Sequence, residues 1–168
     1  MKRLLTVLII TFFMVVGCGL GASSYDDAIM DGATNLNTGK PEEALEDYNR
    51  AIKIKPQVAA GYLGRGNTLQ ILGRYEESIE DYDKTLEITP DLANAYINRA
   101  SAYSHLGEYE KAIVDYEKGL ELDPDIDDKP GFINRLFSDE RDKPNTDKGI
   151  RKHLEYLKQE VNKQSSQG

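Results

Sequence analysis

The residue types that perform enzyme chemistry are sparse in this chain. It has two histidines, His105 and His153, and one cysteine, Cys18, and none of these belongs to a metal-binding or nucleophilic motif. Glutamate pairs such as Glu76-Glu77 are predicted to begin helices, where they complement the helix dipole. The sequence therefore predicts no catalytic residue, no metal and no cofactor.

The single cysteine ends an apolar segment at the start of the sequence. Lys2 and Arg3 precede residues 4–16, which carry no charge, and this layout is typical of a secretory signal peptide. The segment is shorter than the ~20 apolar residues that span a bilayer, and an uncleaved anchor is the alternative. Because the chain has no second cysteine, Cys18 is better suited to acylation than to a disulfide.

The three residues before Cys18 are Val-Val-Gly, and they resemble the bacterial lipobox, in which small residues precede a cysteine that is lipidated. The resemblance implies that residues 1–17 are a lipoprotein signal peptide. Residues 18–24 would then be the lipidated N-terminus and a short linker. By analogy with sorting rules, Gly19 favours the outer membrane, with the protein facing the periplasm. A free or buried thiol is the alternative.

Aspartate and arginine recur at a spacing that indicates ion pairs. Each of three aspartates is followed, one structural unit later, by an arginine. Such a half-buried pair would fix how the units stack, because its main contribution is register rather than stability. The predicted pairs are Asp47 with Arg65, Asp81 with Arg99, and Asp115 with Arg135. Independent surface charges are the alternative.

The units themselves are visible as a period of about 34 residues, a length typical of repeat architectures. The recurring positions are Gly39, Gly73 and Gly107; Tyr48, Tyr82 and Tyr116; and Pro56, Pro90 and Pro124. Apolar residues follow helical spacing on both sides of each glycine. Glycine suits a positive φ at a helix C-terminus, and proline ends a helix. The sequence therefore predicts a helix, a turn and a second helix, three times over.

The third unit resembles the tetratricopeptide repeat, whose usual length is about 34 residues. The residues that match the family's small and aromatic positions are Tyr96, Ala100, Tyr103, Gly107, Tyr109, Ala112, Tyr116 and Pro124. The resemblance implies an all-α fold, a right-handed α-solenoid of helix-turn-helix repeats. The repeats would be residues 25–58, 59–92 and 93–126.

Residues 127–168 are predicted to contain a partial fourth unit and a C-terminal capping helix. Residues 132–136 are similar to residues 96–100, so another first helix is expected there. Four apolar residues share one face of the last helix: Ile150, Leu154, Leu157 and Val161. Coiled-coil dimerisation through this face is the alternative to capping.

In this family, partners bind the concave surface that the first helices line. Carried over position by position, the resemblance implies these groove residues: Asp26, Ile29, Ala33, Asn37, Ala60, Leu63, Asn67, Gln70, Ile71, Asn94, Ile97, Ser101, Ser104, His105 and Ile133. Four of them are expected to form an exposed apolar stripe that the core does not need: Ile29, Leu63, Ile97 and Ile133.

Some relatives bind a C-terminal carboxylate on this surface with lysine and arginine. Asn67 and Asn98 match the amides of that site. However, Leu63, Asp128 and Phe132 stand where basic groups would be needed. No carboxylate clamp is therefore expected.

Charge narrows the class of partner. The net charge is −8, and residues 25–124 hold 20 acidic and 10 basic side chains, which disfavours nucleic acid. No small-molecule substrate is expected. The sequence predicts a lipid-anchored adaptor or scaffold at the bacterial cell envelope, not an enzyme, with a protein or peptide partner in its concave groove. The alternative is a structural homo-oligomeric envelope protein that associates through its C-terminal helix.

Overall fold

A helical hairpin, repeated three times, is the building unit of this molecule. The computed structural model describes residues 24–126 and 149–166, and this part of the chain holds seven α-helices and no strand. The helices are α1 (Tyr25–Asn37), α2 (Pro41–Ile54), α3 (Ala59–Ile71), α4 (Tyr75–Ile88), α5 (Ala93–His105), α6 (Tyr109–Leu122) and α7 (Gly149–Ser165). The predicted all-α fold of helix-turn-helix repeats is confirmed. Among these helices, none is long and apolar enough to cross a membrane.

The first six helices form one continuous stack. Each first helix packs against its own second helix (α1 with α2, α3 with α4, α5 with α6), and each second helix also packs on the first helix of the next pair. The first helices α1, α3 and α5 contact one another along one side of the stack. This is the arrangement of an α-solenoid, in which each repeat contacts only its neighbours.

The turn inside each hairpin depends on glycine. Gly39, Gly73 and Gly107 have φ angles of 73°, 73° and 75°, a left-handed conformation that residues with a Cβ adopt only at a cost. Each second helix ends shortly before the proline that recurs in every unit. The predicted turns and helix ends are therefore confirmed.

A tyrosine of each second helix lies over a small residue of the first helix. Tyr48 and Tyr82 are 5% and 0% exposed. A Cβ added at Gly32 would lie 2.9 Å from Tyr48 Cζ, and one added at Gly66 would lie 2.8 Å from Tyr82 Cε1. Both distances are below the ~3.5 Å at which carbon atoms pack. A larger residue would therefore push the two helices apart.

The predicted pairing of aspartate and arginine between units is wrong. Arg65 binds Asp81, not Asp47: its Nε and Nη2 lie 2.8 and 2.6 Å from the two carboxylate oxygens of Asp81. Arg99 binds Asp115, not Asp81, with its Nε and Nη2 at 2.7 and 2.8 Å. Both pairs join the two helices of a single hairpin.

The antiparallel direction of the two helices explains this difference. In a hairpin, mid-helix positions 16 residues apart face each other, and this is the separation of both observed pairs. The aspartate of the preceding unit lies at nearly the same separation on the other side of each arginine, so spacing alone does not exclude it. The third predicted pair, Asp115 with Arg135, includes a residue outside the described part of the chain.

The third nitrogen of each guanidinium does contact the preceding unit. Arg65 Nη1 donates to Asn49 Oδ1 at 2.7 Å, and Arg99 Nη1 donates to Asp83 Oδ1 at 2.5 Å. Hydrogen bonding to Asp115 raises the pKa of Arg99, although burial opposes the shift. One rigid guanidinium fork therefore holds its own hairpin together and joins it to the one before.

The first hairpin satisfies its buried aspartate in another way. Asp31 stands where the later hairpins have arginine, and Arg50 Nη2 lies 2.8 Å from Asp31 and 2.9 Å from Asp47. Asn35 Nδ2 donates to the other oxygen of Asp47 at 2.7 Å. The arginine of this hairpin therefore stands on the second helix, and both of its ion pairs lie within the hairpin.

The last helix covers the end of the stack, as predicted for a cap. Ile150, Leu154 and Leu157 are buried in one cluster with residues of α5 and α6. Val161 is half-buried. The predicted first helix of a fourth unit, at residues 132–136, lies outside the described residues.

One ion pair shows that α7 occupies the place of a following repeat. Lys158 Nζ lies 3.1 Å from Glu117 Oε1. Glu117 is the third-repeat counterpart of Asn49 and Asp83, which accept from the arginine of the next first helix. A lysine on α7 therefore makes the contact that an arginine makes elsewhere in the stack.

Arg99→Ala should destabilise the protein. Asp115 is 5% exposed, and it would lose both of its bonds to the guanidinium. Removing one partner of such a pair costs about 2–4 kcal/mol, which urea denaturation would measure. Lys118→Ala is the control, since it removes only a surface pair with Glu121 and should cost under about 0.5 kcal/mol.

A double-mutant cycle separates the observed pairing from the one expected from sequence. Arg99→Ala with Asp115→Asn should give a coupling energy above about 1 kcal/mol, and Arg99→Ala with Asp81→Asn should give about zero. The reverse ranking would contradict the hairpin assignment.

Candidate partner-binding face

The first helices present the residues predicted to line the groove, and this surface is named the inner face here. Six of its residues are exposed: Asp26, Ala33, Asn37, Ala60, Ile71 and Asn94. Six are half-buried: Ile29, Leu63, Asn67, Gln70, Ser104 and His105. Ile97 and Ser101 are buried, and Ile133 lies outside the described residues. Most of the predicted residues therefore lie on one surface, but two of them, Ile97 and Ser101, are buried.

A hydrogen-bond network joins α3, α4 and α5 at the centre of the inner face. The Tyr82 hydroxyl lies 2.8 Å from Gln70 Oε1 and 3.0 Å from Asn67 Oδ1. Asn98 Nδ2 donates to Asn67 Oδ1 at 2.7 Å, and Gln70 Nε2 donates to Ser101 Oγ at 2.8 Å. The orientation of both amide side chains of α3 is thereby defined.

The hydrogen-bonding role of Tyr82 was not predicted from the sequence, which marks this tyrosine only as a recurring position of the repeat. Burial raises the pKa of the Tyr82 hydroxyl well above its usual value, and Asp81 adds to the effect. The hydroxyl stays protonated, and its single hydrogen is donated to one of the two carbonyl oxygens at a time. The sequence does contain a sign of this role. A buried tyrosine requires a hydrogen-bond partner for its hydroxyl, and Asn67 and Gln70 precede Tyr82 by 15 and 12 residues, close to the separation at which the two helices of a hairpin face each other.

The third repeat lacks this network because two serines, Ser101 and Ser104, replace the amides. The buried hydroxyl of Tyr116, the counterpart of Tyr82, lies near both serines but makes no well-formed hydrogen bond among the described residues. Instead, α7 approaches here. His153 Nε2 lies 3.4 Å from Ser104 Oγ, and the His153 ring meets the Tyr116 ring edge-on at 5.6 Å. The cap therefore occupies this end of the inner face.

The prediction of an exposed apolar stripe is wrong for Ile97. This side chain is 0% exposed and lies in the same core cluster as Ile150 of the cap. It fills the space above Gly119 of α6, where a Cβ would collide with it. The tyrosines and small residues fill the space where the two helices of a hairpin cross. The space above Gly119 lies outside that crossing, and the aliphatic side chain of Ile97 fills it. Ile29 and Leu63 are half-buried.

The edge of the inner face holds a stacked aromatic pair. The rings of His105 and Tyr75 lie 4.4 Å apart with an interplanar angle of 7°. Tyr75 begins α4, so the imidazole packs against the preceding repeat rather than projecting freely into the groove. Within residues 24–126 and 149–166, no group of three or more His, Cys, Asp or Glu side chains could hold a metal ion.

Ile97→Asp should lower the free energy of unfolding by several kcal/mol, because it buries an unpaired carboxylate. Asn94→Asp is the matched control, since Asn94 is exposed near the start of the same helix and should change stability by less than about 0.5 kcal/mol. Thermal unfolding followed by circular dichroism measures both. An unchanged midpoint for Ile97→Asp would show that this residue is not core.

Family models match the repeated region of the chain. The model described as "Tetratricopeptide repeat" matches residues 93–126, and the model described as "TPR repeat" matches residues 37–72 and 66–107. Together these matches cover more than half of the chain. No curated protein sequence matches it.

Several solved structures have a similar fold. The first tetratricopeptide repeat (TPR) domain of Spaghetti (RPAP3), bound to the HSP90 peptide SRMEEVD, has a TM-score of 0.67 and 19% identity over 85% of this chain and 99% of that one. The Arabidopsis OM64 TPR domain has a TM-score of 0.59 and 24% identity over 60% of this chain and 83% of that one.

YrrB, a TPR protein with an unusual peptide-binding site, has a TM-score of 0.60 and 24% identity. The match covers 63% of this chain and 55% of YrrB, so it spans little more than half of that protein. These three likenesses, all below 25% identity, show the fold. The family matches show that this chain belongs to the tetratricopeptide repeat family.

Proposed function

We propose that this protein is an adaptor without catalytic activity that binds a peptide segment of a protein partner on its inner face. The observation that carries the proposal is the lack of charge on that face. Asp26 is the only carboxylate among its described residues, which include no lysine or arginine, whereas 30% of the whole chain is charged. A mostly uncharged strip on a highly charged solenoid suits a neutral polar ligand.

An amide at the centre of the inner face retains a hydrogen-bond donor. The carbonyl oxygen of Asn67 is engaged by Tyr82 and Asn98, and no described residue accepts from its Nδ2. Asn98 uses its Nδ2 for this bond, and its Oδ1 is buried, so the free N–H of Asn67 is the group that remains for a ligand.

The free N–H of Asn67 can donate to a backbone C=O of a peptide. A carboxylate ligand would instead require several donors or a basic side chain, and the half-buried Leu63 stands where a base would be needed. The proposed ligand is therefore an internal peptide segment rather than a free C-terminus. The peptides named for the RPAP3 and YrrB structures support the class of ligand, not its sequence.

Asn67→Asp should weaken peptide binding without unfolding the protein. The new carboxylate can still accept from Tyr82 and Asn98, but it cannot donate to a peptide carbonyl. For peptides selected from a display library on the wild-type protein, we expect at least about a tenfold loss of affinity in isothermal titration calorimetry, equivalent to about 1.4 kcal/mol.

Asn162→Asp serves as the control, because it adds the same charge to an exposed position of α7 that is not part of the inner face and should change affinity far less. C-terminal amidation of the peptides should also have little effect. Equal affinities for the two variants, or binding that requires a free carboxylate, would contradict the proposed mode of recognition.

We further propose that the adaptor is anchored by lipid on Cys18 at the bacterial outer membrane, facing the periplasm. The support is in the sequence: an uncharged segment at residues 4–16 follows Lys2 and Arg3 and leads to the only cysteine. A lipid anchor of more than one acyl chain would give firm attachment, since a single chain binds only marginally.

Cys18→Ala should abolish labelling by an alkyne fatty acid in cells, because no other cysteine can be acylated. The wild-type protein should be labelled and recovered with membranes, as detected by in-gel fluorescence after fractionation. Cys18→Ser tests whether the thiol itself is required, since it keeps the size of the side chain. Equal labelling of wild type and both variants would exclude this anchor.

The alternative of a homo-oligomer formed through the C-terminal helix has less support. Ile150, Leu154 and Leu157 are the residues that such an association would use, and all three are buried against the third repeat. A second copy could bind them only by displacing α7 from its own chain.

A further inference from the structure

A half-open cavity of about 240 Å³ lies where the first repeat meets the second. Leu45 of α2 and Leu69 of α3 provide apolar walls, and Arg65, Arg74, Glu77 and Asp81 provide charged ones. None of the inner-face residues lines it. This cavity is therefore separate from the surface on which the adaptor function is proposed.

The cavity exists because one position of the repeat varies in size. The place of Leu69 is held by Asn35 in the first repeat and by Tyr103 in the third. The Asn35 amide binds Asp47, whereas the Tyr103 ring packs against the core of the third repeat. Leucine is smaller than tyrosine, so the second repeat keeps space that the tyrosine ring fills in the third.

The charged groups around Tyr103 correspond in position, though not all in charge, to residues that line the cavity. Burial raises the pKa of the Tyr103 hydroxyl, and the neighbouring charges that act on it belong to Arg99, Asp83, Asp115 and Lys111. Their counterparts one repeat earlier in the sequence are Arg65, Asn49, Asp81 and Glu77. All four of these counterparts line the cavity.

We propose that this cavity binds a tyrosine side chain of a protein partner, seated as Tyr103 is seated in the third repeat. The ring would pack on Leu45 and Leu69, and the hydroxyl would lie among the polar groups of Arg65, Asn49 and Asp81. Buried tyrosines require such a polar contact for the hydroxyl.

The size and position of the cavity favour a side chain over a free ligand. Pockets for drug-sized molecules are ~300–1,000 Å³, and this one is smaller. Aromatic anchors inserted into small pockets are typical of protein interfaces. The rim is the Arg74–Glu77 ion pair, with 2.6 Å between Arg74 Nε and Glu77 Oε1, and both side chains are about half exposed.

A titration with p-cresol, the side-chain analogue of tyrosine, tests the proposal in the wild-type protein. The methyl resonances of Leu45 and Leu69 should shift and saturate in NMR spectra, with affinity on the order of millimolar for so small a probe. N-acetyl-tyrosinamide should cause the same shifts, and cyclohexanol should not. Shifts with p-cresol but not with N-acetyl-tyrosinamide would mean that the cavity is closed to a polypeptide, which overturns the proposal.

Two variants test whether the cavity binds a tyrosine side chain: one fills the cavity, and the other opens the equivalent space in the third repeat. Leu69→Tyr fills the cavity from within, so it should abolish the p-cresol shift at Leu45 and keep or raise the thermal midpoint. Tyr103→Leu opens the equivalent space, so it should create a second binding event that shifts Ile79, the counterpart of Leu45. The proposal is overturned if p-cresol does not shift Leu45 in the wild type, or if Tyr103→Leu gains no second site.

Discussion

The close approach of the two helices in each hairpin is the constraint on which the rest of the structure depends. Gly66 leaves room for the Tyr82 ring directly above it, so α3 and α4 lie at the short distance that small residues permit. At that distance the Tyr82 hydroxyl reaches Asn67 and Gln70 on the inner face. The contact that packs the core therefore also orients the amides of the candidate binding face.

The arginines then convert separate hairpins into a stack. A guanidinium has three nitrogens in a rigid plane, and Arg99 uses two for Asp115 in its own hairpin and the third for Asp83 in the hairpin before. At the start of the stack, Arg50 bridges Asp31 and Asp47 within one hairpin. The arginine of each later repeat binds the repeat before it, whereas Arg50, among the described residues, binds only within the first.

The surfaces that distinguish this chain lie where residues at equivalent positions differ between the repeats. The amides of the second repeat become serines in the third, where α7 packs instead. The position of Leu69 holds asparagine in the first repeat and tyrosine in the third, and the cavity lies beside the leucine of the second. A regular repeat builds the scaffold, and unequal residues at equivalent places create distinct surfaces on it.

The hairpins, their turns and their order were determined by the sequence alone. A positive φ at Gly107, a helix ending before Pro124 and a small residue at Ala100 follow from local backbone and steric rules, and the regular period repeats them. The inner face was also largely predictable, because equivalent positions of the first helices, such as Ala60 and Asn94, must face the same side.

Only the tertiary structure decided which side chains meet. Arg99 has one aspartate after it and another before it at nearly equal separations along the chain, and the antiparallel hairpin selects Asp115. Ile97 is buried because Gly119 leaves space beneath it and α7 joins its cluster. These outcomes depend on distances between helices that are remote in sequence, and residue spacing along one chain does not contain those distances.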